Sequence, residues 1–182
     1  SGTPDDPALE TVMRNFGGMA TSRMNRNLRL DKHWSYGTSG GLSSVRGPRS
    51  FVVTAPVQTD KTKESMIEVL KEIRGVAGAR PLAGEEYESI MRSQSSRLAG
   101  RFETIDSLVA AATDIVNTGR APEYYYDYTT NLKALSPEAL NAAAAKVVKP
   151  DELTWIVIGD LKKVEAGVRE LGYGEVLRLK ME

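Results

Sequence analysis

Arg29 and Tyr36 stand seven residues apart, the arginine at the end of a basic stretch and the tyrosine at the head of a run of small residues. A guanidinium and a phenol that converge at one corner are a pair of hydrogen-bond donors suited to a peptide carbonyl, or to the oxyanion a carbonyl becomes under attack. The spacing is equally open to a plainer reading, in which the two side chains are solvated or only fasten a helix end to a strand. Other chemistry is scarce, because the 182 residues contain no Cys and one His, His33. Without cysteine there is no disulfide scaffold, thiolate zinc site, iron–sulfur cluster or cysteine nucleophile, and a single imidazole excludes any metal site built on two. What remains within these residues is hydroxyl, carboxylate, amine or guanidinium chemistry, or a Ser/His/Asp arrangement that must use His33. No second His or Glu stands at a zinc-helix spacing from His33, which reads as a solvent-facing or packed imidazole and not as a ligand.

Three further clusters read as structure. The run Gly37-Thr38-Ser39-Gly40-Gly41-Leu42-Ser43-Ser44 lacks the Gly-Lys-Ser/Thr ending and the following helix of a phosphate loop, so it reads as a strand of small residues with room for something to lie against it. Glu85, Glu86 and Glu88 open an expected helix, where carboxylates complement the macrodipole. Tyr124-Tyr125-Tyr126 and Tyr128 read as core packing or interface.

Charge is balanced, 24 Lys+Arg against 24 Asp+Glu, but residues 20–51 hold six of the basic residues and a single acid, Asp31. That patch has no aromatic platform beyond Trp34, so no nucleic-acid partner is expected. No apolar run approaches the ~18 residues of a membrane span, and Ser1 to Asp6 lack the character of a signal peptide.

The elements that must position these residues follow from periodicity. With 41% hydrophobic and 26% charged residues, the chain reads as a single domain over 1–182 with a real core. Asp5 or Asp6 can cap an opening helix with Leu9, Val12, Met13 and Phe16 on one face, and a short basic helical stretch follows over 20–31. Residues 35–45 and 50–58 then read as a hairpin around Arg46-Gly47-Pro48-Arg49. Helices are expected at 61–74, 85–99, 104–117, after Pro122, after Ser136 and at 161–171, with strands at 153–158 and 176–179. The order implies an α+β fold, an antiparallel or mixed sheet in which 153–158 joins the hairpin and helices pack on one face.

The string Ser22-Arg23-Met24-Asn25-Arg26-Asn27-Leu28-Arg29, followed by Trp34-Ser35-Tyr36-Gly37, resembles the second-half, zinc-motif-lacking domain of the pitrilysin/insulinase family of zinc peptidases, of mitochondrial-processing-peptidase type. The resemblance continues in order through Lys61-Thr62, Glu85-Glu86-Tyr87, Phe102-Glu103-Thr104, Tyr124 to Tyr128, Pro150-Asp151-Glu152-Leu153 and Val157-Ile158-Gly159-Asp160, and so covers nearly the whole chain. It implies a clamp-half fold whose partner domain or subunit holds the zinc through an inverted His-x-x-Glu-His motif that is absent here. It also implies that Arg29 and Tyr36 contact peptide substrate near that metal, with no metal ligand and no catalytic residue in this chain alone. Because the family fold begins with strands before its first helix, the chain is expected to be a piece of a longer peptidase polypeptide that lacks those strands, with Ser1 a cloning remnant. Leu30 stands where the family often has Glu, and Lys32-His33-Trp34 replaces its usual Gly-aromatic approach to the tyrosine. A non-catalytic scaffold or peptide-binding module of the same fold is the alternative.

Overall fold

The computed structural model describes residues 3–45 and 47–179; Ser1 and Arg46 of the expected hairpin turn lie outside them. Helix α1 (Asp6–Gly17) begins on Asp5, with Pro7 in its first turn, and buries Leu9, Val12, Met13 and Phe16 along one stripe. A one-turn helix α2 (Arg23–Asn25) runs directly into a π-helical turn over Arg26–Asp31. Strands β1 (Ser39–Leu42) and β2 (Phe51–Thr54) pair antiparallel with Ser39 opposite Thr54 and Leu42 opposite Phe51, and an isolated bridge from Ser35 to Val57 prolongs the pairing.

The small residues of β1 have a definite purpose. Gly17, at the end of α1, bridges to Gly40, and a Cβ on Gly17 would come within 2.4 Å of the Gly40 nitrogen. A Cβ on Gly40 would in turn meet the Phe16 ring at 2.7 Å. Glycine at both positions therefore lets the helix lie directly on the strand, and the room expected beside this strand is filled by α1.

Helices α3 (Thr62–Arg74), α4 (Gly84–Gly100), α5 (Ile105–Thr118), α6 (Tyr124–Lys133), α7 (Pro137–Val147) and α8 (Leu161–Glu170) follow, within a residue or two of the expected spans. The starts of α5, α7 and α8 are set by side chains that satisfy first-turn N–H groups: Thr104 reciprocally with Ser107, Ser136 with Ala139 and Asp160 with Lys162. The core gathers around α1, where Phe16 belongs to one buried cluster with Met24, Leu28, Ile73, Ile90, Leu140 and Val148.

The fold is α+β, but its sheet is smaller than expected. Neither 153–158 nor 176–179 forms a ladder with another strand among the described residues, and the sheet consists of β1 and β2. Leu153, Trp155 and Val157 are partly buried while Thr154, Ile156 and Ile158 are exposed, which is the alternation of a half-buried strand. The segment nevertheless shares with residues 51–57 a groove of about 560 Å³, lined also by Met66, Val69 and Ile73 of α3. Neighbouring strands of a ladder lie ~4.8 Å apart and leave no such space. The apolar residues of 153–158 thus find their burial against the core around α3, where Leu153 and Trp155 pack, without a ladder partner among the described residues.

Candidate functional site

The string Ser22 to Arg29 divides its residues between holding and presenting. The Ser22 hydroxyl accepts from the Asn25 N–H and starts α2. Met24 and Leu28 are fully buried in the core. Arg23, its side chain 4% exposed, donates through Nε to Glu86 Oε1 at 2.7 Å and through Nη2 to Oε2 at 2.6 Å, a two-pronged pairing that Asn15 completes from α1 at 2.8 Å. Its remaining Nη1 donates to the Arg80 carbonyl at 2.7 Å, so one guanidinium ties α2 to α4 and to the segment before α4. Asn27 reaches the other way, donating to Glu68 at 2.8 Å and Glu72 at 2.9 Å on α3.

Asn25 closes the loop. Its amide donates to the Thr38 carbonyl at 2.9 Å and accepts from the Thr38 N–H at 2.8 Å, imitating a strand bridge across residues 25 to 38. Within the loop the chain makes a π-helical turn, a geometry that recurs at functional sites, and then reverses at His33, whose φ of 57° is the one left-handed non-glycine conformation among the described residues. A left-handed non-glycine residue costs on the order of 1 kcal/mol, so the reversal must be held by its surroundings. Those bonds are present: the Trp34 N–H donates to the Leu28 carbonyl at 2.9 Å, Gln58 donates from its backbone to Trp34 and from its amide to His33, and the Ser35 hydroxyl donates to the Pro56 carbonyl at 2.6 Å.

Arg29 and Tyr36 leave this braced loop outward. Arg29 is exposed and Tyr36 is 100% exposed, and neither side chain takes part in a hydrogen bond, ion pair or ring contact with a described residue. The structure puts them on one closed loop without joining them to each other. The fastening reading does not hold, since these two side chains bond to no described residue; that work is done by Arg23, Asn25 and Asn27.

The remaining candidates sort themselves by contact. His33 is exposed, no group of three His, Asp or Glu converges among the described residues, and the donors present do not fit a zinc ion. Glu85 and Glu86 do lie in the first turn of α4, as expected, but Glu86 has a second role as the partner of Arg23, 63 residues away in sequence. Tyr124, Tyr125 and Tyr128 form an edge-to-face series with centroids 5.1 and 5.8 Å apart, while Tyr126 is exposed.

Electrostatics make the bracing acid-sensitive. Burial alone would raise the Glu86 carboxyl, but hydrogen bonds from Arg23 and Asn15 outweigh it and hold the group below its ordinary range. Burial and the Asn27 and Lys32 contacts act on Glu68 in the same way, with the same net direction. A carboxyl lowered in the folded state contributes stability that is present above the unfolded value and is lost as pH falls through the folded one. Melting temperature is therefore expected to drop between pH ~5 and ~3, and the Glu86→Gln variant to show a smaller drop than the parent. Thermal melts across that range check this, and equal drops in both proteins would remove Glu86 from the account.

The fold is that of a peptidase-family domain. More closely, the chain belongs to the peptidase M16 inactive-domain family, whose model matches residues 1–92 and so includes the whole loop from Asn25 to Thr38. Its fold is similar to that of a peptidase M16 inactive domain from Pseudomonas fluorescens, with TM-score 0.70, 15% identity and coverage of 83% of this chain and 36% of that one. A protease from Helicobacter pylori aligns with TM-score 0.69, 15% identity and coverage of 79% and 34%. A protein from Bordetella pertussis Tohama I, proposed to be a zinc protease, aligns with TM-score 0.62, 13% identity and coverage of 80% and 79%. The chain spans about a third of the length of the first two structures. No curated protein matches it in sequence.

Proposed function

We propose that this chain is the substrate-binding half of a zinc metalloendopeptidase, one domain of a longer peptidase polypeptide, which faces a zinc-bearing domain or subunit and completes a closed chamber around a peptide. The observation that carries this reading is the presentation of Arg29 and Tyr36: two free donors on a loop fixed at both ends by Asn25 and Thr38. The loop that carries them is braced, and because the side chains are free they engage a carbonyl without first breaking an internal bond. Membership of a family of inactive peptidase domains supports it, as does the likeness in fold to a protein proposed to be a zinc protease. On this reading the metal belongs to the partner domain, and Arg29 and Tyr36 bind the peptide backbone beside the scissile bond.

The test is cleavage by the unsubstituted chain reconstituted with the zinc-bearing partner, and separately crosslinking from a photo-reactive amino acid at position 36, with a second at exposed Ile105 on α5 as the control. Cleavage is expected only from the reconstituted pair, with substrate peptide crosslinked from position 36 and not from 105. Cleavage by the chain alone, or equal crosslinking from both positions, would overturn the proposal.

A further inference from the structure

Arg14 in the last turn of α1 and Arg97 in the last turn of α4 line one cavity of about 330 Å³, within the size range of small-molecule sites. Two further arginines, Arg101 and Arg120, and two acids, Glu10 and Asp114, share its wall. Those four compensate one another. Arg120 pairs with both acids, Arg101 lies 3.9 Å from Asp114, and the phenols of Tyr124 and Tyr125 donate to Glu10 and Asp114 at 3.2 and 2.8 Å. Burial and the hydrogen bond to Asp114 push the Tyr125 phenol up to about 12, so it stays a neutral donor at pH 7.

Arg14 and Arg97 are different. Neither has an ion pair among the described residues, and the Nε of Arg14 is buried with no hydrogen-bond partner. A guanidinium that no acid neutralises favours an anionic acceptor beside it. The cavity therefore carries two cations in excess of its acids. Opposite chemistry is also present in the wall, where Met13, Leu42 and Leu98 supply apolar surface.

We propose that this cavity binds a small organic dicarboxylate, its charged groups on Arg14 and Arg97 and its carbon body against Met13, Leu42 and Leu98. The planar guanidinium fork matches a carboxylate with two parallel bonds, and the apolar wall favours a ligand with a hydrocarbon body over inorganic phosphate. The site is independent of the Arg29–Tyr36 loop, none of whose exposed donors lines it.

Titration of the protein with succinate, followed through the arginine Nε–Hε NMR signals, is the direct experiment, with succinamide and inorganic phosphate as parallel probes. Succinate is expected to shift the Arg14 and Arg97 signals saturably, succinamide to leave them unmoved, and phosphate to bind roughly tenfold more weakly. Arg97→Gln, at an exposed position whose side chain the fold does not use, is expected to weaken succinate binding roughly tenfold, the loss of one charge-assisted bond, with an unchanged melt. Arg14→Gln is expected to do the same if it folds. Absence of a saturable shift, an equal response to succinamide, phosphate binding as tight as succinate, or an unweakened Arg97→Gln variant would each overturn the assignment.

Discussion

In the peptidase role proposed for the intact protein, Tyr36→Phe is expected to lower turnover by ~10²–10³, the usual cost of removing one donor to a developing oxyanion, while the melting temperature of the domain stays where it was. Both halves of that expectation come from one observation. The Tyr36 side chain is entirely exposed and holds no described residue, so the deleted hydroxyl takes nothing from the fold. The backbone beneath it is braced by the Ser35 hydroxyl bond to Pro56 and by the Asn25–Thr38 clamp, so the donor's position survives the substitution and only its proton is lost. Arg29→Lys should behave alike, because an ammonium cannot reproduce the guanidinium fork and the exposed arginine holds nothing internal. Peptide-cleavage kinetics beside thermal melts separate the outcomes. Full activity in Tyr36→Phe removes the role proposed for the phenol, and a loss of activity matched by a lower melting temperature reassigns it to folding.

Much of this architecture is legible locally. The helix starts at Ser136-Pro137 and Asp160 and the apolar stripe Leu9, Val12, Met13, Phe16 are written over short windows, and the structure has them there. That Arg29 and Tyr36 lie on one loop is legible too, since only seven residues separate them; the donor role is the proposal built on that placement. What sequence could not show is the long-range pairing that makes the loop rigid. Nothing in residues 85–88 distinguishes an acid that favours a helix start from one that also holds Arg23, and only the folded chain brings those groups within 2.6 Å. The missing third strand has the same origin. Alternation in Leu153 to Ile158 reports that one side of the segment is buried, and burial against helix α3 leaves the same pattern as burial within a ladder. The glycines of β1 likewise signal a close approach without saying that α1 makes it.

The largest effect on stability is expected from Arg120→Met. Arg120 follows α5, and its side chain, 5% exposed, reaches three acids at once: Asp6 and Glu10 on α1 and Asp114 on α5, the last at 2.6 Å. Its guanidinium also lies 4.4 Å from the ring centre of Tyr124 on α6. One residue therefore ties the helices of the second half of the chain to the first. Methionine keeps most of the stem's packing but leaves the acids without their shared cation, and removing one partner of a buried charge cluster costs ~3–5 kcal/mol. Asp6 keeps Arg49 at 3.0 Å, which argues for the lower end of that range, about 3 kcal/mol, or roughly a 10 °C fall in melting temperature for a chain of this size. Because part of the penalty lies in Glu10, left with the Tyr124 hydroxyl and no cation, adding Glu10→Gln to Arg120→Met should return part of the loss, whereas two independent defects would add. Urea unfolding of the single and double variants checks both points. A loss below about 1 kcal/mol in Arg120→Met, the worth of an ordinary surface pair, would show that α5 and α6 are held to α1 by packing and not by this cluster.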